Sequence, residues 1–456
     1  MSASVSIDAI SEGGAVSSIA KRVMALMFLV TMVDSYDQVT LSFATPALVA
    51  EWGIEKAAMG PVFSVQLLGL LIGGITFGML GDKIGRKLAI ILGMLLFGVL
   101  SLATMVASSV DELLVIRFFV GVGVGGVLPN AVALSNEFAP RRFRVTAVSV
   151  MYVGYVCGGI GSGIVSAWLL PRYGWEIIFL LGGIVPLILA GILVFALPES
   201  IQYLAASDKK ARQQEATRLA ALMRPDLEIA AGTRIVNEVR GGEKLALREL
   251  FAGPLRSMTV LLWLMYIANS TTAFALLSWM PSLIEDLGFN PKAAALATSL
   301  MFVGAALGGV AAARLTDRVG LGPIILMPAV AIPFMAGLGF LGGAPLTSLH
   351  LISFFIGFFM AGFQNNLHGI SASIYPTRVR AMGVGWALGA GRLGGMAGPF
   401  IIGMMMTRGA SPQILCIALS IPLLVSVAAV ALLRGAYQVN VCGQTTGGRV
   451  PLESQA

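Results

Sequence analysis

Two aspartates stand inside an apolar stretch near the start of the chain. Asp34 and Asp37 follow VMALMFLVTMV and precede VTLSFATPALVA, which together are long enough to cross a hydrocarbon core of ~30 Å. An aspartate at mid-membrane costs ~2.5–3.5 kcal/mol on insertion scales, so such side chains normally face a polar interior. Spaced i, i+3, the carboxylates share one helix face, and a single proton relieves their repulsion. They are candidate proton carriers; the alternative is neutralisation by structural partners or a wide aqueous vestibule.

The composition places these aspartates in a membrane protein. The chain has 456 residues, of which 57% are hydrophobic and only 12% charged, and no soluble domain of this size has that balance. Long apolar runs exclude a transmembrane barrel, whose segments are short and alternating. The cysteines, Cys157, Cys416 and Cys442, follow neither disulfide nor metal spacing, and we expect no metal and no cofactor.

Apolar runs separated by charged or Pro/Gly residues predict twelve transmembrane helices in two bundles of six, an all-α fold. The N-terminal residues lack the basic region and cleavage site of a signal peptide. The linker sequence KKARQQEATRLAALM has the composition of an amphipathic helix. The predicted parts are an N-terminal tail (1–23), a first bundle (24–198), a linker (199–256), a second bundle (257–434) and a C-terminal tail (435–456).

The distribution of Lys and Arg predicts the orientation. With the N-terminus in the cytoplasm, the outer loops hold only Lys56, Arg172, Lys292 and Arg408, and nearly all other basic residues lie in inner loops and tails. This asymmetry is typical of cytoplasmic loops, so both termini are predicted to be cytoplasmic. The net charge of +7 is explained in the same way, and we expect no nucleic-acid partner.

The two halves repeat at an offset of 236 residues. A duplicated six-helix unit suits alternating access around one central site, which neither an enzyme nor a receptor requires. The matching positions include Asn130 with Asn366, Arg142 with Arg378, and Gly158 with Gly394.

The loop after the second predicted span, GMLGDKIGRK, carries a gate motif. It matches G-x-x-x-D-(R/K)-x-G-(R/K)-(R/K) at Gly78, Asp82, Lys83, Gly85, Arg86 and Lys87. Gly78 is expected to let its helix approach a neighbour, Gly85 to make a tight turn, and Asp82 to accept at a helix N-terminus or pair with a basic group.

Further residues are assigned to the same gate. The second copy of the motif, RLTDRVGLG, keeps Asp317 and Arg318 but lacks the trailing basic pair, so the gate is expected to be asymmetric. Glu137 is interpreted as pairing with the nearby Arg141 and Arg142, and Arg378 is the counterpart of Arg142 in the repeat.

This gate motif resembles the loop signature of the major facilitator superfamily. RFFVGVGVGG, which begins at Arg117, resembles the motif that this superfamily assigns to proton coupling, and GYVCGGIGSG and LPES are weaker matches. The resemblance covers both halves and implies a twelve-helix transporter with Arg117 as a gating or coupling residue.

A narrower resemblance is to the aromatic acid:proton symporter family. It rests on D-x-x-D followed by Pro46, on YPTRVRAMGVGWALGAGRLGGMAGP and on LPES. It implies import of benzoate-like acids, hydroxybenzoates, protocatechuate or muconate across a bacterial inner membrane, with Asp34, Asp37 and Arg392 important for transport. The chain departs from the family pattern at Ser35, where glycine is usual, and in the amide-rich QNNLHG, so the substrate stays open.

Several polar and aromatic residues are candidates for substrate binding. Arg392 is suited to hold a carboxylate bidentately; the alternative is a salt bridge to an aspartate. Amides in the tenth span are suited to bond ring hydroxyls, with helix–helix hydrogen bonding as the equal alternative. Tyr36 and Trp386 are candidates to sandwich a ring, although plain packing is the better interpretation. The polar cluster of the tenth span consists of Gln364, Asn365, Asn366 and His368.

Together these features predict a proton-coupled importer of small aromatic carboxylates, acting as a monomer in the bilayer. A proton-antiport drug exporter of the same fold is the first alternative, and a sugar or metabolite symporter is the second. A membrane sensor is not expected either, because this sequence shows no signalling domain. An enzyme is least expected, since the sequence has no nucleophile–base set, phosphate loop or metal-ligand cluster.

Overall fold

The computed structural model describes residues 4–227, 229–230, 232–236, 247–253, 255–319, 322–376 and 378–446. Side chains of some helical residues within these ranges lie outside the description, and those of Asn365, His368 and Asp317 are among them. The chain divides into two compact units. Unit 1 comprises Met1–Gly242 with Leu277–Phe302, and unit 2 comprises Glu243–Leu276 with Val303–Ala456.

The first half of the chain forms a short N-terminal helix and six long helices, followed by two helices in the linker. In chain order they are α1 (Ile7–Ser11), α2 (Ser18–Trp52), α3 (Met59–Ile84), α4 (Arg86–Thr104), α5 (Val110–Phe138), α6 (Arg144–Tyr173), α7 (Glu176–Ala196), α8 (Ile201–Ala205) and α9 (Lys210–Met223).

The second half repeats the arrangement of six long spans. Its helices are α10 (Leu255–Asp286), α11 (Pro291–Val319), α12 (Gly322–Leu338), α13 (Leu346–Ile356), α14 (Gly362–Ile374), α15 (Arg380–Thr407) and α16 (Pro412–Thr446). A π-helical turn, Gly357–Ala361, joins α13 to α14, so these two helices form one interrupted span.

Over the described residues, the long helices match the twelve predicted transmembrane helices in number and order, six in each half, with α13 and α14 counted as one interrupted span. Nine of the described helices are long and apolar enough to cross a membrane. The helix α2 is long as well, but the polar run DSYDQ occupies its middle. The prediction of an all-α polytopic membrane protein is therefore confirmed.

Two short strands are an exception to the all-α prediction. Ser4–Ser6 (β1) pairs in parallel with Arg234–Val236 (β2), with Ser4 opposite Arg234. Strands of three residues leave no periodic signal in a sequence, and the two segments are far apart in the chain. Only tertiary packing brings the N-terminal tail and the linker together.

The strands belong to what we call the tail–linker cap, which consists of β1, α1, α9 and β2. Ile7, Leu219 and Ile235 join the same apolar core as Phe138 at the end of α5. The predicted amphipathic helix of the linker is present as α9, with its apolar face buried.

Arg224 fastens the cap through its guanidinium. Its Nη1 donates to the carbonyl oxygen of Ala9 at 3.0 Å, so the linker holds the N-terminal tail. Its Nε and Nη2 donate to the carboxylate of Asp226. These hydrogen bonds lower the pKa of the Asp226 carboxyl because they stabilise its charged form.

Glycines set the closest helix contacts in equivalent places of the two units. A Cβ on Gly158 of α6 would collide with the carbonyl oxygen of Met32 on α2, and a Cβ on Gly394 of α15 would collide with that of Ile267 on α10. The predicted repeat thus corresponds to the same type of helix pair in each unit.

Candidate functional site

A buried ion pair lies inside unit 1. Asp37 on α2 and Arg117 on α5 are both fully buried, and Arg117 Nη1 lies 3.7 Å from Asp37 Oδ2. The α4 residue Ser101 donates from Oγ to Asp37 Oδ1 at 3.0 Å. The side chain of Arg117, the predicted coupling residue, is therefore turned into the interior of the bundle.

The guanidinium of Arg117 is held loosely for a buried charge. Its Nη2 donates to Thr104 Oγ1 at 2.9 Å, and its carbon Cζ lies 4.4 Å from the centre of the Phe179 ring. Among the described residues, neither Nε nor Nη1 of Arg117 has a hydrogen-bond partner, and neither does Asp37 Oδ2. Buried polar groups are normally satisfied, so this pair stands out as a functional candidate.

The other aspartate of α2 has different neighbours. Asp34 is buried, and its Oδ2 accepts from Gln38 Nε2 at 3.2 Å. Gln38 Oε1 in turn accepts from the hydroxyl of Tyr155 on α6 at 3.3 Å. The predicted pair of carboxylates is thus divided, since Asp37 contacts α4 and α5 whereas Asp34 is linked to α6.

The amides predicted in the tenth span have separate roles in unit 2. Gln364 Oε1 accepts a hydrogen bond from Nδ2 of Asn269 on α10. Asn366 Nδ2 donates to the carbonyl oxygens of Gly309 and Gly362. The side chains of the remaining two, Asn365 and His368, lie outside the described residues.

Asn366 has the same hydrogen bonds as its repeat partner. Asn130 Nδ2 donates to the carbonyl oxygens of Phe77 on α3 and Gly126 on α5. In both units the amide therefore bonds the backbone of an adjacent helix and of its own. This favours helix–helix hydrogen bonding as the interpretation of Asn366, the alternative that its sequence context left open.

Arg392 lies on α15 next to the contact with α10. The neighbouring Gly391 packs there, since a Cβ on it would lie 3.1 Å from Ser270 Oγ. Arg392 itself is half-buried. Its role in holding a carboxylate stays a prediction.

The two aromatic candidates pack against other side chains or backbone. The Tyr36 hydroxyl donates to the carbonyl oxygen of Ile178 on α7 at 3.1 Å. Trp386 is 48% exposed and stacks on Trp263 with ring centres 6.1 Å apart. These contacts agree with the packing interpretation, and substrate binding by either residue stays a prediction.

The prediction for Glu137 is wrong in its partner. Glu137 forms a salt bridge with Arg86 of the gate motif, and its Oε2 accepts from Ser200 Oγ at 2.6 Å. Glu137 still belongs to the buried end of α5, whereas the two nearby arginines lie beyond Pro140 in a separate 3-10 turn. That turn directs Arg141 to Glu12 and Arg142 to the carbonyl oxygen of Gly14.

The glycines of the gate motif differ in importance. A Cβ on Gly78 would meet no described atom within 4 Å, so the predicted close approach there is wrong, and Gly69 and Gly73 make it instead. Gly85 has φ +103°, and a Cβ on it would collide with the Glu199 carboxylate. Glu199, from the LPES segment, accepts from the backbone N–H of Lys87 at 3.1 Å.

The remaining gate residues are more exposed. Asp82 lies 3.8 Å from Arg86 with its side chain 75% exposed, and Lys83 is exposed. In unit 2, Arg318 is exposed, and Arg378 forms an ion pair with Glu249 at 3.5 Å. The side chain of Asp317 lies outside the described residues.

A third group of contacts joins the ends of α10 and α11 to helices of the first half, all within unit 1. Lys56 forms a salt bridge with Asp286, and the Phe63 and Trp279 rings meet edge to face at 5.3 Å. Ser299 Oγ donates to the carbonyl oxygen of Ile160 at 3.1 Å. We call this set the outer contact, after the predicted outer loops from which Lys56 comes.

Sequence reasoning missed Gln38, Ser101 and Asn269. Gln38 adjoins Asp37, and Asn269 begins the polar run NSTT inside an apolar span. That run is a signal of the kind that singled out the aspartates. Ser101 carries no such signal, because a lone serine in a helix usually bonds its own backbone.

Buried charges inside a bundle of long apolar helices, in a chain whose two halves repeat a six-helix unit, are typical of a polytopic membrane transporter. The family model described as Major Facilitator Superfamily matches residues 27–399 and 262–442. A solved structure of a D-xylose-proton symporter superposes with a TM-score of 0.71 at 18% identity, covering 91% of this chain and 97% of that one, which supports the fold alone.

Two curated relatives are similar over nearly their whole length. The 4-hydroxybenzoate transporter PcaK of Pseudomonas aeruginosa is 34% identical over 91% of this chain and 92% of its own. The gallate transporter of Pseudomonas putida is 34% identical over 88% of each chain. The chain belongs to the major facilitator superfamily and is a transporter, not an enzyme, and these relatives confirm the resemblance to aromatic acid permeases.

Proposed function

We propose that this protein imports small aromatic carboxylic acids of the hydroxybenzoate, benzoate and protocatechuate class together with protons, by alternating access. The names of both relatives support the substrate class. The observation that carries proton coupling is the buried pair of Asp37 and Arg117 with its incomplete hydrogen bonding. The inner membrane, with both termini in the cytoplasm, is the proposed location.

Each buried charge has a role in this proposal. A proton on Asp37 ends its attraction to Arg117, and a proton on Asp34 changes the bond that Gln38 donates to it. Arg392 holds the carboxylate of the acid, because a guanidinium stays charged when it loses water. Neutral carboxyls remove the electrostatic obstacle to closing the outer half, after which acid and proton leave to the cytoplasm.

The energetic consequence depends on the number of protons. One proton carried with one monoanion moves no net charge, so only the pH gradient drives uptake. A second proton adds the membrane potential as a driving force, worth ~2.3 kcal/mol per charge per 100 mV.

Uptake of radiolabelled 4-hydroxybenzoate, benzoate, protocatechuate and gentisate into right-side-out vesicles with an imposed pH gradient tests the proposal. We expect inward accumulation of at least one acid, and its loss with a protonophore, with Asp34→Asn and with Arg392→Ala. Inverted vesicles serve as the control for direction. Absence of acid uptake, with proton-driven extrusion of cationic dyes, would instead establish the exporter alternative.

A further inference from the structure

Two amide side chains meet in the middle of unit 2. Asn269 lies about halfway along α10 and is fully buried, and its Nδ2 donates to Gln364 Oε1. This bond fixes which way the Gln364 amide faces, so Nε2, with its two hydrogens, is directed away from Asn269. Gln364 itself is only half-buried.

The other end of the Asn269 amide lacks a donor. Within the described part of the chain, nothing donates a hydrogen bond to Asn269 Oδ1, although the atom is buried. A buried acceptor without a donor destabilises a folded protein. An acceptor of this kind beside the amide donor of a half-buried glutamine is suited to a ligand group that both donates and accepts a hydrogen bond.

An irregular backbone marks the same place independently of the amides. The π-helical turn Gly357–Ala361 interrupts the tenth span and ends three residues before Gln364. Turns of this kind inside α-helices are frequent at functional sites, because the extra residue re-aims the side chains that follow. The turn that precedes α14 and the unsatisfied amide of Asn269 on α10 therefore indicate one site between α10 and α14.

This amide pair lies at the level of Arg392. Gly391 packs beside Ser270, and these residues directly precede Arg392 on α15 and follow Asn269 on α10. The guanidinium proposed to hold the carboxylate and the amides thus come from one level of neighbouring helices. A flat, rigid acid whose carboxylate is bound by Arg392 would have its ring near the amides of Asn269 and Gln364.

We propose that Asn269 and Gln364 recognise a hydroxyl group on the ring of the transported acid, an inference that rests on the proposed function. Gln364 Nε2 donates to the hydroxyl oxygen, and Asn269 Oδ1 accepts the hydroxyl hydrogen. An acid with an unsubstituted ring leaves Asn269 Oδ1 without a donor. Sites built to bond a hydroxyl discriminate strongly against analogues that lack it, so Asn269 selects hydroxylated acids.

The test compares the uptake of two substrates, 4-hydroxybenzoate and benzoate, in proteoliposomes with an imposed pH gradient. We expect kcat/KM for 4-hydroxybenzoate over that for benzoate to fall roughly tenfold in Asn269→Leu, and in the same direction in Gln364→Met, as the loss of a hydrogen bond predicts. Asn366→Leu is the matched control, because its amide bonds only backbone carbonyls among the described residues. It should lower uptake of both acids equally and leave the ratio unchanged.

The outcomes separate this inference from the function beneath it. An unchanged ratio in both variants, with uptake retained, overturns hydroxyl recognition while import of aromatic acids stands. A wild-type protein that moves neither acid under the gradient overturns the proposed function and the inference together. If Asn269→Leu fails to fold, Asn269→Ser and Gln364→Met decide the question.

Discussion

The ion pair of Asp37 and Arg117 is buried, and its hydrogen bonding is incomplete. Both side chains are fully buried, so each needs the other to remain charged away from water. The contact is nevertheless incomplete, with 3.7 Å between the charged atoms and unused hydrogen-bonding capacity on both sides among the described residues. Because each charge depends on the other and their contact is incomplete, a proton on Asp37 is expected to break the ion pair readily.

Single and double substitutions distinguish coupling from a purely structural role. Asp37→Asn or Arg117→Met alone leaves one buried charge without its partner, which we expect to destabilise the protein by ~3–5 kcal/mol. The double substitution removes both charges and should recover most of that stability without recovering proton-driven uptake. Thermal unfolding in detergent and vesicle uptake are the two measurements.

Ser101→Ala is the control for this experiment, since it removes only one hydrogen bond to Asp37 and should cost about 1 kcal/mol. Recovery of uptake in the double variant would mean that the pair merely holds the bundle together.

At the scale of helices, the glycine contacts determine which faces pack. In each unit a glycine lets two helix backbones touch, Gly158 against α2 and Gly394 against α10. Close approach through small residues is how membrane helices associate, because lipid provides no hydrophobic drive between them. These contacts place α6 and α15 against the helices that carry Asp34 and Asn269.

A side chain at either glycine should separate its helix pair. We expect Gly158→Val and Gly394→Val each to cost about 1–3 kcal/mol or more, as overpacking does, and to abolish uptake. The loss should appear as a lower unfolding temperature of the purified protein.

Matched controls exist on the same two helices. A Cβ on Gly161 of α6 or on Gly389 of α15 would meet no described atom within 4 Å. Gly161→Ala and Gly389→Ala should therefore be neutral or stabilise their helices slightly. If the alanine variants lowered the unfolding temperature and uptake as much as the valine variants, glycine would be needed for something other than close packing.

At the scale of the molecule, the outer contact links residues from the first and second halves of the sequence. Lys56 and Asp286 are 230 positions apart, and both side chains are about one third exposed, at 31% and 32%. Exposed ion pairs contribute little, so the buried Phe63–Trp279 packing provides most of the cohesion.

The size of the expected effect follows from that exposure. Lys56→Glu should alter the initial rate of uptake only a few-fold, because such a pair is worth ~0.2–1 kcal/mol. Adding Asp286→Lys exchanges the two charges between the positions, which restores their attraction and should restore the uptake rate. The comparison uses initial rates at low and high salt, since screening weakens the wild-type pair as well. A complete loss that the second substitution fails to rescue would exclude a simple charge contact.

The sequence alone was enough for the fold and the family. Twelve apolar runs, the repeat at 236 residues and the gate motif are local or periodic features, and hydrocarbon allows few arrangements for segments that satisfy their own backbone hydrogen bonds. For the same reason Asp34, Asp37 and Arg392 were identifiable, since a charge inside an apolar run is visible without knowledge of its neighbours.

Only the tertiary structure decided which groups meet. It paired Arg117 with Asp37, gave Glu137 to Arg86, used Asn366 for helix packing and brought Asn269 to Gln364. Helical periodicity places a residue on a face, but the helix opposite that face comes from a distant part of the chain. Partner choice is therefore a property of helix packing, which no local pattern in the sequence encodes.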